Sequence, residues 1–294
     1  MQLLGIAPAK INLTLEILNR RADGYHNLAS VFHTLSLSDT LSLEPLPHQS
    51  GTIQIESEGW AVPNSPQNSI WQALQRFGEA INAAQWVGWQ VKLQKRIPTQ
   101  AGLGGGSSDA GTTLKLLAQW ATAQGIPVPD LAELALQIGS DVPFFVLGVP
   151  CARAEGRGER LMVLPSLPRL AWVLAKPPEL GVPTGWAYAR LQRTESSPTE
   201  SHHTDRLMNA LQSGAVRDAE TLAPYLHNDF EAVLIPEIPA LGAVRATMEE
   251  SGVLRVLLCG SGAVQAGLCR TEHDAHRLAE RLRQQGYWAE VCFS

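Results

Sequence analysis

Polar and hydrophobic residues alternate strictly near the start of the chain. Ile11, Leu13, Leu15 and Ile17 fall on one side and Lys10, Asn12, Thr14 and Glu16 on the other, which predicts a half-buried strand with a polar face. A turn follows over 21–26, and strands are predicted over 35–44 and 52–56. The period then changes, because Ile70, Ala73, Leu74, Phe77, Ala80 and Ile81 recur at helical spacing. Alternation returns at Trp89, Val91 and Leu93, in a strand that ends at Lys95-Arg96-Ile97-Pro98. Ala110, Leu114, Leu117 and Ala121 mark the inner face of a helix that stops near Gly125 and Pro127. Asp130 caps a further helix over 131–138, ended by Gly139.

The texture shifts near Cys151, which divides the chain into 1–152 and 153–294. Strands are predicted at 151–154 and 171–175, with a loop over 155–159 between them. Residues 194–205, polar and containing Pro198 and His202-His203, read as a mobile loop. Two helices, a strand over 255–259, the turn Gly260-Ser261-Gly262, a strand over 265–269, a helix over 274–285 and a strand over 288–293 complete the pattern. Strands and helices mix without a regular βα repeat, so the class is α+β and not doubly wound α/β.

At 294 residues the chain is long enough for two domains with real cores. The apolar runs, such as 144–147, are too short to span a bilayer, and no signal peptide is read at the N-terminus, so a cytoplasmic protein is expected with no membrane partner. Four cysteines with no C-x-x-C pair point to reduced, partly buried thiols and to no zinc site. The formal net charge of −5 argues against nucleic acid as a partner. Lys10, Arg20, Arg21, Lys95 and Arg96 are the groups available to draw a small polyanion locally.

The richest chemistry lies between the strand at 89–95 and the helix after it. Pro98, Thr99, Gln100, Ala101, Gly102, Leu103, Gly104, Gly105, Gly106, Ser107 and Ser108 form a glycine-rich turn entering a helix. Glycines let the backbone approach a bulky anion, Ser107 or Ser108 is suited to cap the helix, and the helix N-terminus favours negative charge. No lysine follows the glycines, so this is not a P-loop. Ser107 fills the place of the third glycine of a dinucleotide fingerprint, and Asp109 that of the last glycine of a nucleophile elbow. Taken one at a time the other features are ambiguous. Lys10 reads equally as a solvated strand residue, Asp141 as a helix cap, Tyr25-His26 as a turn with an aromatic plug and Gly260-Ser261-Gly262 as a hairpin turn.

In order and spacing, Pro8-Ala9-Lys10-Ile11-Asn12-Leu13, the glycine loop and Gly260-Ser261-Gly262 resemble the three motifs of the GHMP kinases, which phosphorylate galactose, homoserine, mevalonate and related small alcohols. Asp23-Gly24-Tyr25-His26 and Ile138-Gly139-Ser140-Asp141-Val142-Pro143 resemble the branch of that superfamily that serves the non-mevalonate (methylerythritol phosphate) isoprenoid pathway. The resemblance implies a two-domain α+β fold with the active site in the inter-domain cleft. It implies transfer of the ATP γ-phosphate, with Mg²⁺ present, to the 2-hydroxyl of a cytidine diphosphate-linked methylerythritol. Asp141 is then the general base and Lys10 its charge partner, and residues 98–108 hold the ATP phosphates with Asn68 and Lys95 as further nucleotide contacts. Tyr25 and His26 hold the cytosine, and Asn12 and Thr184 lie on the substrate side. Within the same superfamily a homoserine or mevalonate type of kinase is the alternative, and a non-catalytic nucleotide-binding relative is another. Tyr25-His26 separates the first of these, because only a nucleotide-bearing substrate needs a clamp for a base.

Overall fold

The computed structural model describes residues 2–47, 51–81 and 86–294. Its contacts form two units, one of 2–9, 38–99 and 104–149, the other of 10–37, 100–103 and 150–294. Neither is a single stretch of chain, because β1 (Leu3–Arg20) and β2 (His26–Leu46) contribute residues to both.

In the first unit the strand order is β3 (Ile53–Gly59), β4 (Gly88–Lys95), β2, β1. β3 and β4 are parallel, so a crossover must join them, and α1 (Ser69–Ala80) supplies it. β2 runs antiparallel to β4, with Leu41 opposite Leu93 and Leu43 opposite Val91. α2 (Gly105–Ala123), α3 (Leu131–Ile138) and α4 (Val142–Leu147) complete the unit. The helical stripe of α1 is buried as predicted at Ile70, Ala73, Leu74 and Phe77, but Ala80 is exposed and Ile81 is the half-buried C-cap; that of α2 is buried at Ala110, Leu114, Leu117 and Ala121. Asp130 caps α3 by accepting from the Ala132 and Glu133 N–H groups. Trp89 and Trp120 meet edge to face in the same core, 5.1 Å between centroids. Full burial of each such large side chain is worth about 1.5–3 kcal/mol, and this core fixes the frame that carries the first turn of α2.

In the second unit β1 lies between β2 and β8 (His227–Asn228), parallel to β8. β5 (Cys151–Gly156) pairs antiparallel with β2, and β6 (Arg160–Val163), which the sequence pattern did not anticipate, pairs with β5. A separate antiparallel sheet has the order β11 (Trp288–Phe293), β7 (Ala171–Lys176), β10 (Gln265–Leu268), β9 (Arg255–Leu258). α9 (Pro239–Glu250) and α10 (Glu272–Gln284) cover it through Val244, Met248, Leu278 and Leu282. α5 (Thr184–Arg190), α6 (His202–Gln212), α7 (Ala219–Leu222) and α8 (Glu231–Glu237) lie between β7 and α9.

Three expectations change. The polar face of β1 is not solvated: Lys10, Asn12, Thr14 and Glu16 are all buried. Residues 202–205 are helix and not loop, because the Glu16 carboxylate accepts from the His203 and Thr204 N–H groups and caps α6 from a distant strand. Four α-helices, α6 to α9, stand between residue 201 and β9 where two were expected. The short α7 is set by a capping box of Asp218 and Thr221. The four cysteines are free and buried, and burial pushes the thiols of Cys151, Cys259 and Cys269 up to about 12. Among the described residues no helix is long and apolar enough to cross a membrane, and no cluster of three His, Cys, Asp or Glu could hold a metal.

Candidate active site

The glycine loop changes conformation abruptly at Gly104. Gly104 sits in the left-handed region, with φ 69°, and acts as the N-cap of α2. The expected serine cap is therefore corrected. Ser107 and Ser108 already lie inside the first turn, and a residue in the left-handed region ahead of the helix is best supplied by glycine. The Ser108 N–H is the first to reach a helical carbonyl, that of Gly104, at 2.8 Å. The N–H groups of Gly105, Gly106 and Ser107 have no intrahelical acceptor and point forward, as an anion site requires.

The loop is supported on both of its flanks. In the second unit Gly102 has φ 78°, and a Cβ there would stand 1.8 Å from the Cys259 carbonyl oxygen, so any side chain would collide with backbone. A Cβ on Gly260, at φ 51°, would stand 3.0 Å from Gly102 O, and the Val264 N–H donates to Ala101 O. The turn 260–262 does join two antiparallel strands, β9 and β10, and it also seats the glycine loop. Asn228 pins that turn by donating to the carbonyls of Leu258 and Gly260 at 2.7 and 2.8 Å. In the first unit the Ser69 hydroxyl donates to Gly106 O at 2.6 Å. Pro98 is buried, while Thr99 and Gln100 are exposed.

Lys10 enters beside this loop, its N–H bonded to Leu103 O at 2.9 Å. Its ammonium is 2.6 Å from Asn12 Oδ1 and lies 4.9 Å from the centre of the Phe32 ring. Asn12 in turn donates to the Ser30 hydroxyl at 2.9 Å. Thus Asn12, read from sequence as a substrate contact, is a buried residue with both ends of its amide engaged by the protein.

Lys95 is buried too, and its ammonium is shared by two carboxylates, Asp39 and Asp109. The Asp39 carboxylate also accepts from the N–H groups of Arg96 and Ile97. The Lys95 Nζ would stand 3.0 Å from a Cβ on Gly105, so Lys95 lies under the first residue of α2. A lysine ion-paired twice adds no net positive potential, which removes it from the groups that draw an anion. Burial first, opposed by Lys95 and assisted by Asp39, raises the Asp109 carboxyl to about 7.

Asn68 is the N-cap of α1. It accepts from the Ile70 N–H and donates to Pro63 O, both at 2.9 Å, and so shapes the turn ahead of the helix. Asp141 occupies the N-cap position of α4, half-buried, yet its side chain makes no capping hydrogen bond, so the helix-cap reading fails. Tyr25 is exposed at the β1–β2 turn, with the Arg157 guanidinium over its ring. His26 packs on Tyr188, 5.1 Å between centroids. Burial, then Arg20 and Arg193, push His26 below its ordinary range, so a neutral ring with one donor and one acceptor faces this end at neutral pH. Thr184 opens α5, exposed and 3.3 Å from the Ser261 hydroxyl.

Ser30, Ser69, Asn228 and Tyr188 had no signal in the sequence, because each acts on a residue far away in the chain and none sits in a glycine-rich or periodic pattern. Asp39 did leave one, a carboxylate at an inward position of the alternation Leu35, Leu37, Leu41, Leu43.

Residues 68–149 match the family described as GHMP kinases N terminal domain, and residues 207–287 match GHMP kinases C terminal. A 4-diphosphocytidyl-2-C-methyl-D-erythritol kinase of Moorella thermoacetica is 36% identical over 279 residues, which span 95% of this chain and 94% of the relative. A crystal structure of 4-(cytidine 5'-diphospho)-2C-methyl-D-erythritol kinase is 37% identical and superposes with a TM-score of 0.78 over 99% of this chain and 100% of its own. The homoserine kinase of Cytophaga hutchinsonii, 16% identical, has a TM-score of 0.68 over 100% of this chain and 94% of its own, a likeness of fold alone. The chain is therefore a GHMP kinase and belongs to the 4-diphosphocytidyl-2-C-methyl-D-erythritol kinase family.

Proposed function

We propose that the chain phosphorylates the 2-hydroxyl of 4-diphosphocytidyl-2-C-methyl-D-erythritol with ATP, giving the 2-phosphate and ADP in the methylerythritol phosphate route to isoprenoids. The observation that carries this reading is 37% identity to that kinase across essentially the whole chain. The N–H groups of Gly105, Gly106 and Ser107 receive the ATP phosphates at the start of α2. Phosphoryl transfer through a loose transition state asks mainly for positioning and charge neutralisation. Lys10, tied by its backbone to Leu103, supplies positive charge beside that loop. Asp141, whose carboxylate is not consumed by a helix cap, takes the proton of the attacking hydroxyl, which leaves late in such a transition state. Tyr25 presents a flat exposed face for the cytosine, and neutral His26 offers a donor and an acceptor to its edge. Thr184, next to Ser261, lies on the substrate side.

The Ser108 hydroxyl is buried and has no hydrogen-bond partner among the described residues. An orphaned oxygen in the first turn of α2 suits Mg²⁺, a hard cation that takes few protein ligands when phosphates supply the rest. Ser107 and Ser108 would hold it, and when bound it neutralises charge on the β- and γ-oxygens. The expected setting is cytoplasmic, with a small-molecule substrate and no nucleic-acid or membrane partner. Residues 1–152 would serve ATP, and 153–294 would complete the site.

A coupled assay of ADP release over a panel of alcohols tests the assignment. Turnover of the cytidine compound is expected. Turnover of homoserine or mevalonate instead would replace it with a sibling activity, and ATP binding with no product from any alcohol would point to a non-catalytic relative.

A further inference from the structure

We propose that Ser30 is a positioning residue that holds the Asn12 amide in the one orientation Lys10 can use. The inference rests on the reading of Lys10 as part of the transfer machinery. Ser30, in β2, is fully buried. Its hydroxyl lies 2.5 Å from Thr14 O and 2.9 Å from Asn12 Nδ2, and Asn12 Oδ1 lies 2.6 Å from Lys10 Nζ. Four groups thus stand in a row, and the row closes in one sense only. A backbone carbonyl can only accept, so the single Ser30 hydrogen goes to Thr14 O. The remaining lone pairs of Ser30 then require the amino end of Asn12 toward them. An ammonium can only donate, so Lys10 needs the carbonyl end. The acceptor-only carbonyl and the donor-only ammonium impose the same amide orientation from opposite ends, through Ser30.

Without the hydroxyl, the amino group of Asn12 loses its acceptor, and the amide loses the anchor at its far end from the ammonium. A buried chain of this kind functions only when every member is satisfied. The contact between Asn12 Oδ1 and the Lys10 ammonium would be loosened beside Leu103. Thr14 O and Asn12 come from β1 while Ser30 comes from β2, so the device depends on the register of two strands and leaves no local trace in the sequence.

The test compares Ser30→Ala and Ser30→Thr with the parent enzyme. Thr keeps the hydroxyl and suits a strand, whereas Ala removes it. Ser30→Ala should lower kcat roughly tenfold to a hundredfold, the scale of one hydrogen bond to a charged group, with KM for ATP and for the cytidine substrate within about twofold. Ser30→Thr should keep kcat within about threefold. In an Asn12→Ala background, Ser30→Ala should add almost nothing. Nitrogen-15 NMR of the Asn12 side-chain amide, read without turnover, should show protected protons in the parent and in Ser30→Thr and rapid exchange in Ser30→Ala. Unchanged kcat in Ser30→Ala, equal damage from Thr and Ala, additivity with Asn12→Ala, or loss of the fold in Ser30→Ala would each overturn the proposal. Lys10→Met separates the two readings: full turnover there removes Lys10 from the chemistry, while the NMR result still reports on the amide.

Discussion

Two lysines in this protein are buried to the same degree, Lys10 at 4% and Lys95 at 3% exposure, and different groups hold them. Lys95 is shared between the carboxylates of Asp39 and Asp109, so the cluster it belongs to carries a surplus of negative charge unless a proton joins it. Lys10 is held by the carbonyl of a neutral amide and faces the ring of Phe32. The Asn12 carbonyl gives the Lys10 ammonium a direction, and the two carboxylates neutralise that of Lys95. Burial alone therefore does not distinguish a structural lysine from a working one.

The contrast predicts separable failures. Lys95→Met leaves two carboxylates buried without their cation and should cost stability by about 3–5 kcal/mol, the range for breaking a buried ion pair. The folded fraction that remains should keep most of its kcat. Adding Asp109→Asn should recover part of the loss, and denaturant unfolding of the two variants checks both statements. A fall in kcat with no loss of stability in Lys95→Met would erase the distinction.

Next in size is a pH effect at Asp109. Its carboxyl is raised from 3.8 to about 7, so between those values the folded state holds a proton that the unfolded state has released. Stability then falls as pH rises through that window and levels off above it. Asp109→Asn should flatten this slope, making the variant relatively more stable at pH 8 than at pH 5 when unfolding midpoints are compared. A parallel shift at all pH values would contradict the shared-proton picture. Smallest is Ser69→Ala, which removes the hydrogen bond to Gly106 O. KM for ATP should rise about two- to fivefold, the scale of one neutral hydrogen bond, with melting temperature nearly unchanged.

Much of the frame was legible because it is written in local patterns. The stripes of α1 and α2 and the Asp130 cap follow from spacing and residue type within one element. What escaped was non-local. The start of α6 depends on Glu16, whose carboxylate comes from a strand more than a hundred residues away. The polar face of β1 looked solvated because its partners, Ser30 and Thr204, lie on other elements. The glycine loop was found by composition, but its cap was placed on the serines, since a left-handed glycine ahead of a helix leaves no mark beyond the glycine itself. Lys95 was located beside the loop correctly. Its pairing with two carboxylates was not visible, because Asp39 joins it from a strand paired across the sheet.

The account turns on Lys10 acting on substrate and not on the fold. Rapid-quench single turnover of Lys10→Met, with saturating ATP and the cytidine substrate, measures this directly. The predicted result is a phosphoryl-transfer rate lower by at least about a hundredfold, the scale for removing one charge-stabilising group, with ATP binding retained and the melting temperature within a few degrees of the parent. A transfer rate within a fewfold of the parent in a properly folded Lys10→Met protein would contradict it.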